Sequence, residues 1–377
     1  MAFSMAYFIK TLKAGALDLN WKIVYRVLRS LLFRLDPEAA HDVVATCGSV
    51  LRIPPLHALI RHFLATNDAR LRTSIGGLEL QTPVGLAAGF DKVGKSIPLF
   101  SALGFSFIEV GTVTPKPQPG NPRPRIVRFA AQRALVNRMG FPSEGVQAMI
   151  PHLKYARRYS PACRIGVNIG KNKETPIDAA IEDYRLLADR VNEYADYIAI
   201  NVSSPNTPDL RKLQEPARLL ELFKTIDRVN KRQIPVFVKL APDISQSELP
   251  EVLKVIRESS VAGVIATNTT LSRASLPEAE DEVGGASGAP LFELSLKMVR
   301  EIYGVLGPAK PIIGVGGIMS GREAEAMIRA GASAIQIYTG LVYEGPLLVK
   351  QINVHLAKAL TDLGKNSISE MVGIDAS

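Results

Sequence analysis

The sequence predicts an α/β protein: a closed (β/α)8, or TIM, barrel over residues 71–377, preceded by a small amphipathic helical domain over residues 1–70. Three observations predict it. From about residue 78 onward, short β-rich runs alternate with helix-length segments, the pattern of repeated strand–helix units. Eight such runs occur, and most are near-continuously apolar, as parallel strands buried on both faces should be. Polar residues gather just after each run, and in a barrel those strand ends form one surface. An open doubly wound sheet is the competing architecture, but its GxGxxG signature does not follow the first strand.

The elements read as follows. Val24, Val27, Leu28, Leu31, Leu32 and Leu35 keep the i, i+3, i+4 spacing of one helix face, with Lys22, Arg26 and Arg29 largely off that stripe. Asp36-Pro37-Glu38 reads as an N-cap followed by proline at the first helical position. Ala40, Val43, Val44, Cys47, Val50 and Leu51 carry a second helix until Pro54-Pro55 breaks it. Leu56, Leu59, Ile60, Phe63 and Leu64 form a third stripe. Barrel strands are expected at 83–89, 107–114, 164–170, 197–203, 235–241, 263–269, 311–317 and 334–340, with helices in segments such as 177–194, 245–259 and 322–330.

Composition narrows the function. The chain has 377 residues, 47% of them apolar, which suits one barrel with a sizeable core and a small appendage. Two cysteines, Cys47 and Cys163, without a CxxC or a Cys/His cluster argue against a disulfide framework or a metal site, and fit a reducing cytosolic setting. A net charge of +9 points to an anionic partner or simply to a basic, solvated surface. No apolar run approaches the roughly 20 residues of a spanning helix. The apolar start, residues 1–9, lacks a basic n-region and is not read as a signal peptide.

The strand ends carry the chemistry. They read Ala88-Gly89-Phe90-Asp91-Lys92, Gly111-Thr112, Asn168-Ile169-Gly170, Asn201 through Thr207, Lys239, Thr267-Asn268-Thr269, Gly316-Gly317 and Tyr338-Thr339. The glycines after strand seven and Thr339 after strand eight suit a phosphate, which barrels often hold there; the alternative is two tight turns. Asn137, Asn168, Asn201, Asn206 and Asn268 offer paired donors and acceptors for the edge of a planar heterocycle. Lys239 ends a buried strand and could face the anionic edge of a reduced ring or form a Schiff base. Lys92 could pair with a substrate carboxylate or sit in a solvated loop. The histidines His41, His57, His62, His152 and His355 fall mostly away from these ends, which disfavours a Ser-His-Asp hydrolase. Ser204 needs a relay to act as a base, and Thr207 is near enough in sequence to belong to one.

Several long strings resemble the class 2, quinone-dependent dihydroorotate dehydrogenases: PVGLAAGFDK, EVGTVTPKPQPGNPRPR, NRMGF, GVNIGKNK, YIAINVSSPNTPDLR, VIATNTT, PIIGVGGI and QIYTG. The likeness runs from about Asp36 to the helix after Tyr343. It implies oxidation of dihydroorotate to orotate in pyrimidine synthesis, with electrons passed through FMN to a membrane quinone. It implies that Ser204 takes the C5 proton while hydride leaves C6 for the flavin, with Thr207 and Phe141 on the proton path. Lys92, Asn137, Arg138, Met139, Gly140, Phe141, Asn201, Asn206, Asn268 and Thr269 correspond to the substrate-binding set. Ala88, Gly89, Thr112, Asn168, Asn201, Lys239, Thr267, Gly288, Gly317, Tyr338 and Thr339 correspond to the FMN-binding set. His41, Arg128 and Tyr338 correspond to the quinone end.

The resemblance also gives the N-terminal helices a meaning, as a hydrophobic tunnel from an anionic membrane surface, with Lys22, Arg26, Arg29 and Arg34 flanking the stripes. Helices merely packed on the barrel are the alternative. It implies a peripheral protein of the bacterial inner membrane's cytoplasmic face, or of the mitochondrial inner membrane, with no nucleic-acid partner and no metal. Two departures stand out: Pro142-Ser143 follow NRMGF where the family usually has two asparagines, and the segment before Asp36 is longer than in typical bacterial members. Rival readings are a flavin barrel acting on tRNA, a class I aldolase using Lys239, and a non-enzymatic membrane-surface module.

Overall fold

The computed structural model describes residues 16–50 and 54–376, with the side chains of 16–22, 47–50, 54 and 55 excepted. The expectations for residues 1–9 and for the Lys22 and Cys47 side chains therefore lie outside the described residues. The described residues begin with three helices: α1 (Ala16–Leu32), α2 (Pro37–Val50) and α3 (Pro54–Leu64). Asp36 caps α2, its carboxylate accepting the Glu38 and Ala39 N–H groups at 2.9 and 3.1 Å, with Pro37 at the first helical position. Pro54 and Pro55 open α3 rather than standing between helices, because proline costs nothing where the N–H has no partner within the helix.

α1 turns a face to the barrel that its apolar pattern does not announce. Tyr25 donates to the Val342 carbonyl at 2.8 Å, Arg29 to the Tyr343 carbonyl at 2.6 Å, and Phe33 meets the Tyr343 ring edge-on at 5.5 Å. Gly345, at φ +85°, leaves room for the Tyr25 ring, which a Cβ would approach to 2.6 Å. Ile23, Val24, Val27, Leu28 and Leu31 point the other way and are 44–59% exposed. Packing on the barrel therefore does not account for the stripe.

The strands, in chain order, are β1 (Thr73–Ile75), β2 (Leu78–Leu80), β3 (Val84–Leu86), β4 (Phe107–Val113), β5 (Ile126–Phe129), β6 (Ala134–Asn137), β7 (Arg164–Ile169), β8 (Tyr197–Asn201), β9 (Val236–Leu240), β10 (Gly263–Ala266), β11 (Gly285–Gly288), β12 (Ile312–Val315) and β13 (Ala332–Ile337). The eight strands β3, β4, β7, β8, β9, β10, β12 and β13 close into a parallel barrel, each within an expected segment apart from the first two residues of β13. The last expected strand ends early: Thr339 and Gly340 already belong to a short helix, Thr339–Glu344.

Two further sheets were not foreseen. β1 and β2 form a hairpin turned by Gly76 and Gly77, both at positive φ, and Ile75 and Leu80 plug the barrel floor against Phe107, Tyr197 and Phe237. Gly85 and Gly166 make space for that aromatic layer, since a Cβ would lie 2.3 Å from the Phe107 ring and 2.0 Å from the Tyr197 ring. β5, β6 and β11 form a small antiparallel sheet, paired in the order β11-β6-β5. Around the barrel runs a ring of helices whose buried faces, such as Leu187, Leu222, Leu253, Val299, Met327 and Ile352, pack on the outer strand faces.

Candidate active site

Parallel register lifts the site residues to one end of the barrel. Asn201 pairs with Lys239 across β8 and β9, and Gly111 with Asn168 across β4 and β7. One cavity opens over these strand ends, lined by residues from Ala87 to Gly340. The small sheet supplies its wall with Leu135, Asn137, Ser287 and Gly288.

Its floor is a chain of side-chain amides. Thr112 Oγ1 donates to Asn168 Oδ1 at 2.5 Å and accepts from Asn201 Nδ2 at 2.9 Å. Asn268 Nδ2 donates to Asn201 Oδ1 at 3.3 Å and to Ser203 Oγ at 2.9 Å. Beneath them Glu109, fully buried, accepts from Asn168, Tyr197 and Gln336.

Two lysines border the cavity. Burial pulls the Lys239 ammonium below its ordinary value, opposed by the Glu109 charge. Burial lowers Lys92 to about 8, with Asp42 and Glu38 opposing the fall and Arg125 adding to it. Neither ammonium has a hydrogen-bond or ion-pair partner among the described residues, so both remain free to meet an anion. The loop carrying Lys92 is tied together by the buried Asp91 carboxylate, which accepts the N–H groups of Gly94, Lys95 and Ser96 at 2.9, 3.1 and 2.7 Å.

Two loops cover the cavity. In one, Ser204 is 6% exposed and its Oγ accepts the Asn206 N–H at 3.2 Å, while Asn206 Nδ2 reaches the Asn137 carbonyl at 3.1 Å. In the other, residues 137–143, Gln118 donates to the Phe141 carbonyl at 2.8 Å and Asn121 to the Arg138 carbonyl at 3.0 Å. The Asn121 amide also meets the Asn206 carbonyl at 3.3 Å, which joins the two loops. Ser143 pairs its backbone with Gln118, and its hydroxyl accepts the Thr114 and Gly145 N–H groups at 3.2 and 3.1 Å, so Pro142-Ser143 keeps the loop anchored.

Known proteins decide the kinship. The dihydroorotate dehydrogenase family profile matches residues 70–360. The chain belongs to the dihydroorotate dehydrogenase family. It is 44% identical over 359 residues to dihydroorotate dehydrogenase (quinone) of Roseiflexus castenholzii, covering 94% of this chain and 97% of that one. It is 44% identical over 341 residues to the enzyme of the same description from Coxiella burnetii, covering 88% and 96%. Among solved structures, that of Eimeria tenella DHODH in complex with ferulenol superposes with a TM-score of 0.84 at 38% identity, covering 90% of this chain and 96% of that one.

Within this family member, most residues expected at the site gather at the cavity: Ala88, Gly89, Lys92, Thr112, Asn137, Met139, Gly140, Phe141, Asn201, Ser204, Asn206, Lys239, Thr267, Asn268, Thr269, Gly288, Gly317, Tyr338 and Thr339 all line it. Others fall outside the lining. Asn168 lies one layer below, holding Thr112 and Asn201. Arg138 turns outward to the Pro124 carbonyl at 2.6 Å. Thr207 is buried, its hydroxyl without a hydrogen-bond partner among the described residues. Arg128 caps the end of α1, donating to the carbonyls of Leu32, Phe33 and Leu35, and lies 4.5 Å over the Phe33 ring.

His41, expected at the quinone end, packs against the residues after the first barrel strand. Its Nε2 lies 2.7 Å from the Phe90 carbonyl, and because that oxygen can only accept, Nε2 carries the proton. Burial, and then the Lys92 charge, hold the ring's pKa below the usual value. The residues that sequence reasoning missed are Glu109, Gln336, Ser287 and Arg125. A charged residue inside the apolar run FIEVGTV was the signal for the first of these.

Proposed function

We propose that this cavity binds FMN and oxidises dihydroorotate to orotate, with a membrane quinone as the final electron acceptor. The observation that carries the reading is the convergence of two unpartnered ammoniums, an amide floor and Ser204 on one cavity. The residues fit a flavin. Lys239 offers a buried positive charge to its anionic edge, Thr112, Asn201 and Gln336 offer amide and hydroxyl partners, and Gly288, Gly317 and Thr339 border the place for its phosphate. Thr339 and Gly340 open a helix whose first N–H groups have no acceptor within it. When bound, FMN supplies the electron chemistry, and the protein supplies position and charge.

The chain's own residues do the rest. Lys92 holds the substrate carboxylate. Asn137, Asn206 and Asn268 pair with the ring's imide edge, and planar amides suit it in both donor and acceptor sense. Ser204 holds the proton at C5, and the buried Thr207 hydroxyl, free of other bonds, passes it outward. Phe141 and the two joined loops keep water from the reacting face.

The quinone approaches from α1 and α2. Ring contacts run from Tyr338 at the cavity to Phe90 at 5.3 Å and on to His41 of α2 at 5.4 Å. The outward apolar stripe of α1, continued by Leu35, Val43 and Leu59, with Arg26 and Arg34 exposed beside it, suits a helix lying on an anionic membrane surface. No helix among the described residues is long and apolar enough to cross a membrane. The protein is thus proposed to be peripheral, at the inner membrane that holds its quinone. Replacing Ser204 by Ala tests the chemistry: FMN should stay bound while flavin reduction by dihydroorotate slows by orders of magnitude. Normal reduction in that variant would refute the assignment.

A further inference from the structure

Glu109 stands in the middle of β4, is fully buried, and has no part in the chemistry above. Its Oε1 accepts from Asn168 Nδ2 at 2.8 Å. Its Oε2 accepts from the Tyr197 hydroxyl at 3.1 Å and from Gln336 Nε2 at 2.8 Å. An ionised carboxylate accepts hydrogen bonds and donates none. Asn168 must therefore turn its NH2 toward Glu109 and its carbonyl away.

The consequence passes upward to groups whose own sense backbone N–H groups fix: Ser203 N–H donates to Asn201 Oδ1 at 3.4 Å and Thr269 N–H to Asn268 Oδ1 at 2.8 Å. The Asn168 carbonyl accepts from Thr112 Oγ1 at 2.5 Å and from Asn201 Nδ2 at 3.2 Å. Thr112, its proton committed, can only accept from Asn201, at 2.9 Å. The Asn201 amide nitrogen is then occupied, so its Oδ1 faces the Asn268 amide and the Ser203 hydroxyl, each at 3.3 Å. Asn268 Nδ2 donates to Ser203 Oγ at 2.9 Å, and its Oδ1 accepts the Thr269 N–H at 2.8 Å.

We propose that Glu109 is the positioning residue that sets the donor and acceptor sense of Asn168 and Thr112 so that they match Asn201 and Asn268, and thereby holds the pattern that flavin and pyrimidine meet. This rests on the FMN and dihydroorotate reading above. The same carboxylate is the negative charge that faces Lys239, with Tyr197 and Gln336 contributing only neutral groups around it.

A swap of partners tests it. Glu109→Gln removes the enforced sense and the charge: with its carbonyl kept on Tyr197 and Gln336, its amide nitrogen faces Asn168, reverses that side chain and sets NH2 against NH2 at Asn201. Adding Asn168→Asp in the same chain restores both. The new carboxylate accepts on each side, and the amide introduced in place of Glu109 donates to it while its carbonyl serves Tyr197 and Gln336. Orotate affinity of the FMN-loaded proteins is read from the shift of the flavin absorption band, and FMN affinity from fluorescence during dilution. Glu109→Gln should weaken orotate binding tenfold or more, and the double variant should return to within about threefold of the original. Orotate affinity unchanged in folded, FMN-loaded Glu109→Gln would overturn the proposal, as would a double variant no better than Glu109→Gln alone. A purely structural role would lower the melting temperature and leave the orotate affinity of the loaded protein untouched. If the unaltered protein showed neither FMN nor an orotate-induced shift, the functional reading would fall instead.

Discussion

Raising the pH should disarm substrate capture long before it harms the fold. Burial lowers the Lys92 ammonium from 10.5 to about 8. At about 1.4 kcal/mol per pH unit, the charged form is disfavoured by roughly 3 kcal/mol in the free enzyme. Only the protonated form can hold a carboxylate. The competent fraction is therefore about half at pH 8 and about a tenth at pH 9. The rate constant for flavin reduction at low dihydroorotate, a measure of kcat/KM, should fall about tenfold per pH unit above 8. At saturating substrate the break should move to higher pH, because a bound carboxylate favours the charged form. Lys92→Met should abolish the break and lose a charge-assisted bond worth about 2–3 kcal/mol, or ~30- to ~150-fold in kcat/KM. Stopped-flow reduction between pH 6 and 10 measures both. A profile flat to pH 9.5, or the same break in Lys92→Met, would refute the reasoning.

Other outcomes follow from the same geometry. Glu38 and Arg125, 6% and 7% exposed, form a buried pair with Arg125 Nη2 2.6 Å from Glu38 Oε1. Glu38→Ala leaves that guanidinium buried and unpaired and should cost about 3–5 kcal/mol in urea unfolding. Because Glu38 also opposes the fall of the Lys92 pKa, the same variant should move the alkaline break to lower pH. Arg125 further donates to the Pro119 and Asn121 carbonyls at 2.6 and 2.9 Å, so its loss should loosen the loop at Asn121 and raise KM for dihydroorotate. Val27→Asp with Leu31→Asp, on the outward face of α1, should leave flavin reduction unchanged while weakening vesicle binding by about tenfold or more and slowing turnover with long-chain quinone. Unaltered vesicle binding would remove the membrane role from that stripe.

The barrel was legible because its strands are buried on both faces. Runs such as Tyr197–Asn201 and Val236–Leu240 carry almost no polar residue until the strand end, and there the polar residue lines the cavity. The small antiparallel sheet was not legible. All four residues of β5 are only half-buried, and β11 is Gly-Ala-Ser-Gly, which has little strand propensity and pairs with β6 some 150 positions away in sequence. The β1–β2 hairpin did carry a signal, Gly76-Gly77 between two short alternating runs, Thr73–Ile75 and Leu78–Leu80. The direction of α1 was hidden for another reason. Hydrophobic spacing marks a face without saying what covers it, and here Tyr25, Arg29 and Phe33 hold the barrel instead. Asn168 stood out as a polar residue in an apolar strand, but sequence could not place it one layer below the cavity.

That a flavin and a dihydropyrimidine meet in one cavity is tested most directly by an absorption spectrum. The purified protein should show the bands of oxidised FMN, and anaerobic dihydroorotate should bleach them, with colour returning on addition of a quinone. A colourless protein, or a yellow one whose spectrum dihydroorotate leaves unchanged, would contradict it.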